Sequence, residues 1–197
     1  MKNILLINGH QRHELAKGEY TLGLIQSMEA FFVQRGFTVK STNVDSEYNI
    51  DEQIDLFSWA DIIVFQFPVY WIGVPAQFKK YIDDVYMSAY GTLYASDGRN
   101  TGGLYGTGGL MKNTHYMFSM TWNAPTEAFN DHGQFFDGLD EDAVFMGLHK
   151  AQQFLGMKPL PTFSCFDIMS NPDFVQDSAS LLEHLSDVFD ATSDQVA

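Results

Sequence analysis

Apolar residues along this chain come in two rhythms. Unbroken short runs, such as Asn3-Ile4-Leu5-Leu6-Ile7-Asn8 and Asp61-Ile62-Ile63-Val64-Phe65-Gln66-Phe67, read as strands buried on both faces. Between them, residues 20–35 place Leu22, Ile25, Met28 and Phe32 on one helical stripe, and Gly36 stands where a helix would end. Residues 37–44 alternate apolar and polar positions, as an edge strand does, and residues 54–59 suit a short helix. A helix opening at Pro75 carries Phe78, Tyr81, Ile82 and Val85 at i, i+3, i+4 and i+7. Further along, 114–122 and 160–166 read as strands, 143–155 as a helix, and Leu181, Leu182, Leu185, Val188 and Phe189 as the buried stripe of a last helix with a polar tail. Strands alternating with helices predict an α/β fold: five parallel strands in the order 2-1-3-4-5, with helices on both faces and one domain over 1–197.

One stretch interrupts this rhythm. Residues 88–113 hold seven glycines, at 91, 98, 102, 103, 106, 108 and 109. An insertion this long inside a compact domain is expected to be either functional or a mobile solvent loop.

Composition changes the picture in three ways. A net charge of −14 argues against nucleic-acid partners and makes any local positive charge informative. The segment His10-Gln11-Arg12-His13-Glu14-Leu15-Ala16-Lys17 holds two of the 11 Lys and Arg residues. The single cysteine, Cys165, lies in an apolar run and reads as a core residue. No apolar stretch reaches the ~18 residues of a membrane span, and a soluble, cytoplasmic protein is expected.

Right-handed crossovers bring the loops after the first, third and fourth strands to one rim of such a sheet. These are 9–18, 68–75 and 122–125. The first precedes a helix whose free N–H groups favour an anion. The second offers Tyr70 and Trp71, and the third Trp122 and Asn123. A phosphate cradle beside aromatic walls suits a flavin nucleotide. The plainer alternative is a solvated basic loop with aromatics that cover the core. No Rossmann glycine fingerprint, Walker loop, G-x-S-x-G elbow or metal-ligand spacing is present. His149 and Lys150 read as surface or interface residues, and no catalytic side chain is assigned. Sparse acid–base machinery is what a protein needs when a flavin carries the redox chemistry.

Several blocks carry a family resemblance: Trp59-Ala60-Asp61, Lys79-Lys80-Tyr81-Ile82-Asp83-Asp84-Val85, Gly91-Thr92-Leu93-Tyr94-Ala95-Ser96-Asp97-Gly98-Arg99, Thr121-Trp122-Asn123-Ala124-Pro125 and His149-Lys150-Ala151. With them the chain resembles the NAD(P)H-quinone oxidoreductases of the flavodoxin-like fold over nearly its whole length. The resemblance implies a homodimer with FAD at each subunit interface, reducing quinones by two electrons at the expense of NADPH. It places FAD against Ala16, Lys17, Gly18, Glu19, Tyr20 and Thr21, against Val69, Tyr70, Trp71 and Ile72, against Tyr105 of the glycine-rich loop, and against Thr121, Trp122, Asn123 and Ala124. Where the family has small polar residues, this chain has Ala16 and Lys17, so backbone N–H groups are expected to serve there. The competing readings are an FMN-dependent azo- or nitroreductase of the same fold, a flavodoxin-like one-electron carrier, and a module that has lost its flavin.

Overall fold

The structure is a computed structural model that describes residues 2–193; the polar tail expected after the last helix lies outside them. Strands β1 (Asn3–Asn8), β2 (Thr38–Asn43), β3 (Ile62–Pro68), β4 (His115–Thr121), β5 (Lys158–Pro159) and β6 (Phe163–Cys165) form one parallel sheet. Its order is β2-β1-β3-β4, and β4 then pairs with both β5 and β6. The five-column order read from the pattern is therefore present, with its last column in two pieces. The expected strand 160–166 breaks at Pro161, which has no N–H to give a ladder. β5 pairs with the start of β4 (His115↔Lys158) and β6 with its end (Thr121↔Cys165).

Helices α1 (Glu19–Gln34), α2 (Ile50–Trp59), α3 (Ala76–Ser88), α4 (Glu141–Val144), α5 (Met146–Phe154) and α6 (Phe174–Ser193) cover both faces. One core, containing Leu5, Phe65, Phe67, Tyr81, Phe118 and Trp122, lies between the sheet and the α2, α3 and α5 side. The other, with Ile4, Leu6, Val64, Met117, Leu24 and Leu185, lies under α1 and α6. Alternation along β3 makes this split, since Ile63, Phe65 and Phe67 enter the first core while Ile62 and Val64 enter the second.

Three helix readings shift, the first being α2, expected over 54–59, which begins at Ile50 behind its Asn49 cap. Leu22 is 48% exposed; the buried stripe of α1 is Thr21, Leu24, Ile25, Met28, Phe31 and Phe32. Leu22 sits about 100° around the helix from Thr21, enough to leave the core. The helix expected over 143–155 starts earlier, at the Asp140 cap whose carboxylate accepts from Ala143 N–H, and leaves helical geometry at Phe145 (φ −97°, ψ 19°). There the Phe145 ring packs against Phe67 and Trp122. For α3, Phe78, Tyr81, Ile82 and Val85 are the buried residues, as the spacing predicts.

The glycine-rich stretch is an ordered, self-bonded loop. Ala95 N–H donates to Gly108 O, Leu110 N–H to Leu93 O, and Met111 N–H to Leu155 O. Asp97 is its hub, accepting from the N–H groups of Arg99 and Gly106 and from the Arg99 guanidinium. A Cβ at Gly108 would lie 2.1 Å from Ala95 O, and one at Gly109 2.3 Å from Gly156 N. These glycines let backbone pack on backbone. Among the described residues no helix is long and apolar enough to cross a membrane.

Candidate active site

A cleft of about 420 Å³ opens at the rim where β1, β3, β4 and β6 end. Its first wall is built from the loop after β1. Gly9 N–H donates to Gln66 O, which fixes where the chain leaves the sheet. His13 and Ala16 then exchange two backbone hydrogen bonds of 3.0 Å, closing a turn with Glu14 and Leu15 at its tip. The buried His10 ring reaches under this turn, and its Nε2 donates to Ala16 O at 3.0 Å. Burial lowers the His10 pKa below its ordinary 6.5, against smaller opposing effects of that hydrogen bond and of Asp45.

Gly18 follows at the N-cap of α1, with φ +90°, and a Cβ there would lie 2.6 Å from the His10 ring. Glycine is required on both counts. Because glycine has no side chain to cap with, the first-turn N–H groups of α1 open into the cleft beside Lys17. α2 differs: Asn49 caps it by accepting from Glu52 N–H. A larger, shallower depression of about 540 Å³ lies beside that capped end and is lined by polar and acidic side chains such as Ser41, Asn43, Glu47 and Glu52. Both sites carry two glutamates, and the free helix end of α1 is what makes its cleft the candidate site.

The facing walls are Pro68, Val69 and Tyr70 after β3, Thr121 and Asn123 at the end of β4, and Ile168 and Met169 after β6. Tyr70 is held by its hydroxyl, which donates to Gln11 O at 3.0 Å. Thr121 Oγ1 is buried and has no hydrogen-bond partner among the described residues, as is true of Gln66 Nε2 nearby on β3. A buried polar atom without a partner, lining a cleft, is suited to a bound polar molecule.

Of the residues singled out in the sequence, Ala16, Lys17, Gly18, Glu19, Tyr20, Thr21, Val69, Tyr70, Thr121 and Asn123 are brought together around the cleft. Trp71 and Ile72 stand outside its lining. They form the tip of a turn closed by two Tyr70–Gly73 backbone bonds, with φ +50° and +62°, and Trp71 is fully exposed. Trp122 is not an aromatic wall. Alternation along β4 turns its indole into the first core, against Phe129, Phe136 and Phe145. Ala124 packs on the same core.

Tyr105 is not near this cleft in its own chain. Its ring lies 5.6 Å from that of Phe154, at the rim where β4 and β5 begin. A seven-residue strand puts the two rims about 20 Å apart. His149 is corrected too: it is buried, accepting at Nδ1 from Tyr116 Oη (2.7 Å) and donating from Nε2 to Asp142 (3.0 Å). Burial pushes the Tyr116 pKa up to about 12. Ile168 and Met169 were not anticipated, because they follow a three-residue strand that carries no motif. Among the described residues no His, Cys, Asp and Glu grouping could hold a metal ion.

A parallel sheet in this order, covered on both faces and carrying an uncapped helix end at its carboxyl rim, defines the doubly wound class of α/β proteins. The chain belongs to the flavodoxin-like family: the model of the flavodoxin-like fold matches residues 2–188. It is similar to the NADPH:quinone oxidoreductase MdaB of Haemophilus influenzae, at 40% identity over 191 residues, covering 95% of this chain and 99% of the relative. An uncharacterized protein of Schizosaccharomyces pombe is 43% identical over 189 residues, covering 94% and 96%. Among solved structures, a putative quinone reductase from Klebsiella pneumoniae superposes with a TM-score of 0.74 at 20% identity, covering 94% of this chain and 84% of that one. The general stress protein 14 of Treponema denticola, in complex with FMN, gives 0.69 at 15%, covering 95% and 98%. At those identities the structures establish the fold.

Proposed function

We propose that this protein is an FAD-dependent NAD(P)H:quinone oxidoreductase that acts as a homodimer in the cytoplasm, with residues 1–197 as one domain. The observation that carries the reading is the uncapped α1 N-terminus, set in the cleft beside Lys17 and opposite the loops after β3 and β4. The named relative, an NADPH:quinone oxidoreductase matched along almost its full length, supports the reaction class. The residues fit a flavin nucleotide. First-turn N–H groups of α1 receive a phosphate, Thr121 Oγ1 offers an unused donor, and the loops bearing Tyr70, Trp71 and Asn123 border the flat ring system.

Bound flavin supplies two-electron hydride chemistry, and the net reaction is NAD(P)H, a proton and quinone giving NAD(P)⁺ and hydroquinone. The chain's own work is to bind and orient. Gly18 keeps the helix end open, and the His10–Ala16 bond holds the phosphate turn in shape. The Tyr70 phenol, tied to Gln11, steadies the loop that presents Trp71. Val69 N–H, donating to Thr121 O, links the β3 and β4 loops so that they move together.

The dimer is supported by what a single chain leaves exposed: Trp71 and Ile72 on the turn after β3, outside the cleft lining, and Met87, Tyr90, Leu104 and Tyr105 at the opposite rim. Patches of this kind on a monomer mark interaction surfaces. Tyr105 is too far from the cleft of its own chain, so its role at the flavin requires the second subunit. The test is to release the flavin from purified protein and weigh it while assaying quinone-dependent NADPH oxidation. FAD with turnover is expected. FMN with azo or nitro substrates preferred would overturn the FAD reading, and colourless protein that binds no added flavin would overturn the enzyme reading.

A further inference from the structure

Helix α1, which carries one wall of the cleft, and β6, which leads into another, meet near one carboxylate of α6 outside it. Asp177, in the first turn of α6, accepts a hydrogen bond at Oδ2 from the Tyr20 hydroxyl of α1. Cys165 lies at the end of β6, where burial first and then the charge of Asp177 push its thiol's pKa upward. Around this point the α1–α6 seam is close-fitting. The Tyr20 and Phe174 rings meet edge to face at 5.3 Å, a Cβ on Gly23 would lie 2.6 Å from the Phe174 ring, and Ser27 Oγ bonds Ser178 Oγ at 2.9 Å.

Each partner of Asp177 leads to a different wall. Tyr20 belongs to the α1 wall that holds the phosphate position. Cys165 is followed within four residues by Ile168 and Met169, the wall on the far side, and α6 itself begins just after them. We infer that Asp177 is a positioning residue that sets the width of the cleft, by holding the first turn of α1 against the β6–α6 connection. The inference rests on the flavin reading for its consequence, which is that a nucleotide is retained only when this junction is closed. The geometry of the junction itself does not depend on that reading.

The single cysteine makes the junction observable without any cofactor. Cys165 is 1% exposed, so a thiol reagent reaches it only when the structure opens. The experiment compares wild type, Asp177→Ala, Asp177→Asn and Tyr20→Phe. For each, it follows Cys165 modification by a chromogenic disulfide reagent in the flavin-free protein, the urea midpoint, and the Kd for added FAD and FMN.

Asp177→Ala and Tyr20→Phe are expected to speed thiol modification by about tenfold with little change in urea midpoint, the signature of local rather than global opening. Both should also weaken flavin binding about tenfold, and the double variant should add nothing further, because both remove the same bond. Asp177→Asn keeps an acceptor and should stay near wild type. Should Asp177→Ala fail to fold, Tyr20→Phe removes only a hydroxyl and carries the test alone. Thiol rates and flavin Kd equal to wild type in Tyr20→Phe would overturn the inference. Modification that accelerates only as far as the urea midpoint falls would overturn it as well. If wild type binds neither flavin but Tyr20→Phe still opens Cys165, the proposed function falls and the closure of the junction by Asp177 stands.

Discussion

His10 shows how one residue ties the cleft to the stability of the whole chain. Its ring is buried, donates to Ala16 O, and has a pKa below 6.5 because burial disfavours the charged form. A depressed folded-state pKa means that the unfolded chain takes up the proton first. The contribution of this group is therefore intact above pH 6.5 and declines as pH falls from there toward the folded pKa. His115 shifts the same way, through burial and then through Lys158 and Lys2. Asp142, held low first by its hydrogen bond to His149, acts further down, below the ordinary aspartate range. Urea midpoints measured from pH 7.5 to 5.5 should fall for wild type and fall less steeply for His10→Gln. At this scale the sequence was only partly legible. Gly18 was readable as the residue that leads into a helix, because its place before the α1 pattern is local information. The burial of Trp122 was not, because it depends on which face of β4 meets Phe129, Phe136 and Phe145, and two of those rings lie in a loop with no periodic signal.

At the scale of elements, strands β1 and β3 and helix α3 were legible because their patterns are strong and their ends are marked by Gly9, Pro68 and Pro75. The last sheet column was not. Its split depends on Pro161 and on β4 offering two separate stretches of free edge. The glycine-rich loop was legible only as an interruption; its glycines serve close backbone contact, within the loop at Gly108 and with Gly156 at Gly109. Gly108→Ala should therefore unfasten it locally, since a Cβ 2.1 Å from Ala95 O can be accommodated only by moving backbone. A loss of about 2 to 4 kcal/mol is expected, in the range of the larger single-site effects. Hydrogen exchange should report it as faster exchange at Ala95 and Leu110, whose N–H groups bond within the loop, while Gly9 and Val69 at the cleft stay protected.

For the molecule as a whole, the cleft and Tyr105 lie at opposite ends of the sheet, so the proposed site containing both Trp71 and Tyr105 requires two copies. That arrangement has a genetic signature. Trp71→Ala and Tyr105→Ala each damage every site of their own homodimer. Mixed and allowed to exchange subunits, they form heterodimers in which one site has lost both residues and the other is intact. Random mixing should return activity toward about a quarter of wild type, as expected for a two-fold dimer. Activity that stays at the average of the two parents after exchange, confirmed by native mass spectrometry, would show that Tyr105 serves no neighbouring cleft. The proposed dimer was beyond the reach of hydrophobic patterning, because residues that would face a second copy carry the same signature as core residues without a core to enter.

The turn that carries Trp71 and Ile72 has a consequence for anyone who would engineer this protein. Left-handed backbone at a β-branched residue costs roughly 1 to 2 kcal/mol, and glycine avoids that strain at a smaller entropic cost of about 0.5 to 1 kcal/mol. Ile72, at φ +62°, is thus a position where thermal tolerance can be raised by a single codon. Ile72→Gly should lift the melting temperature of the flavin-free protein by a few degrees, as about 1 kcal/mol does for a chain of this size. It should at the same time loosen the platform under Trp71 and lower quinone turnover. A library screened for heat survival alone would accumulate that substitution and discard the catalyst, so selection on this scaffold has to score turnover in every round.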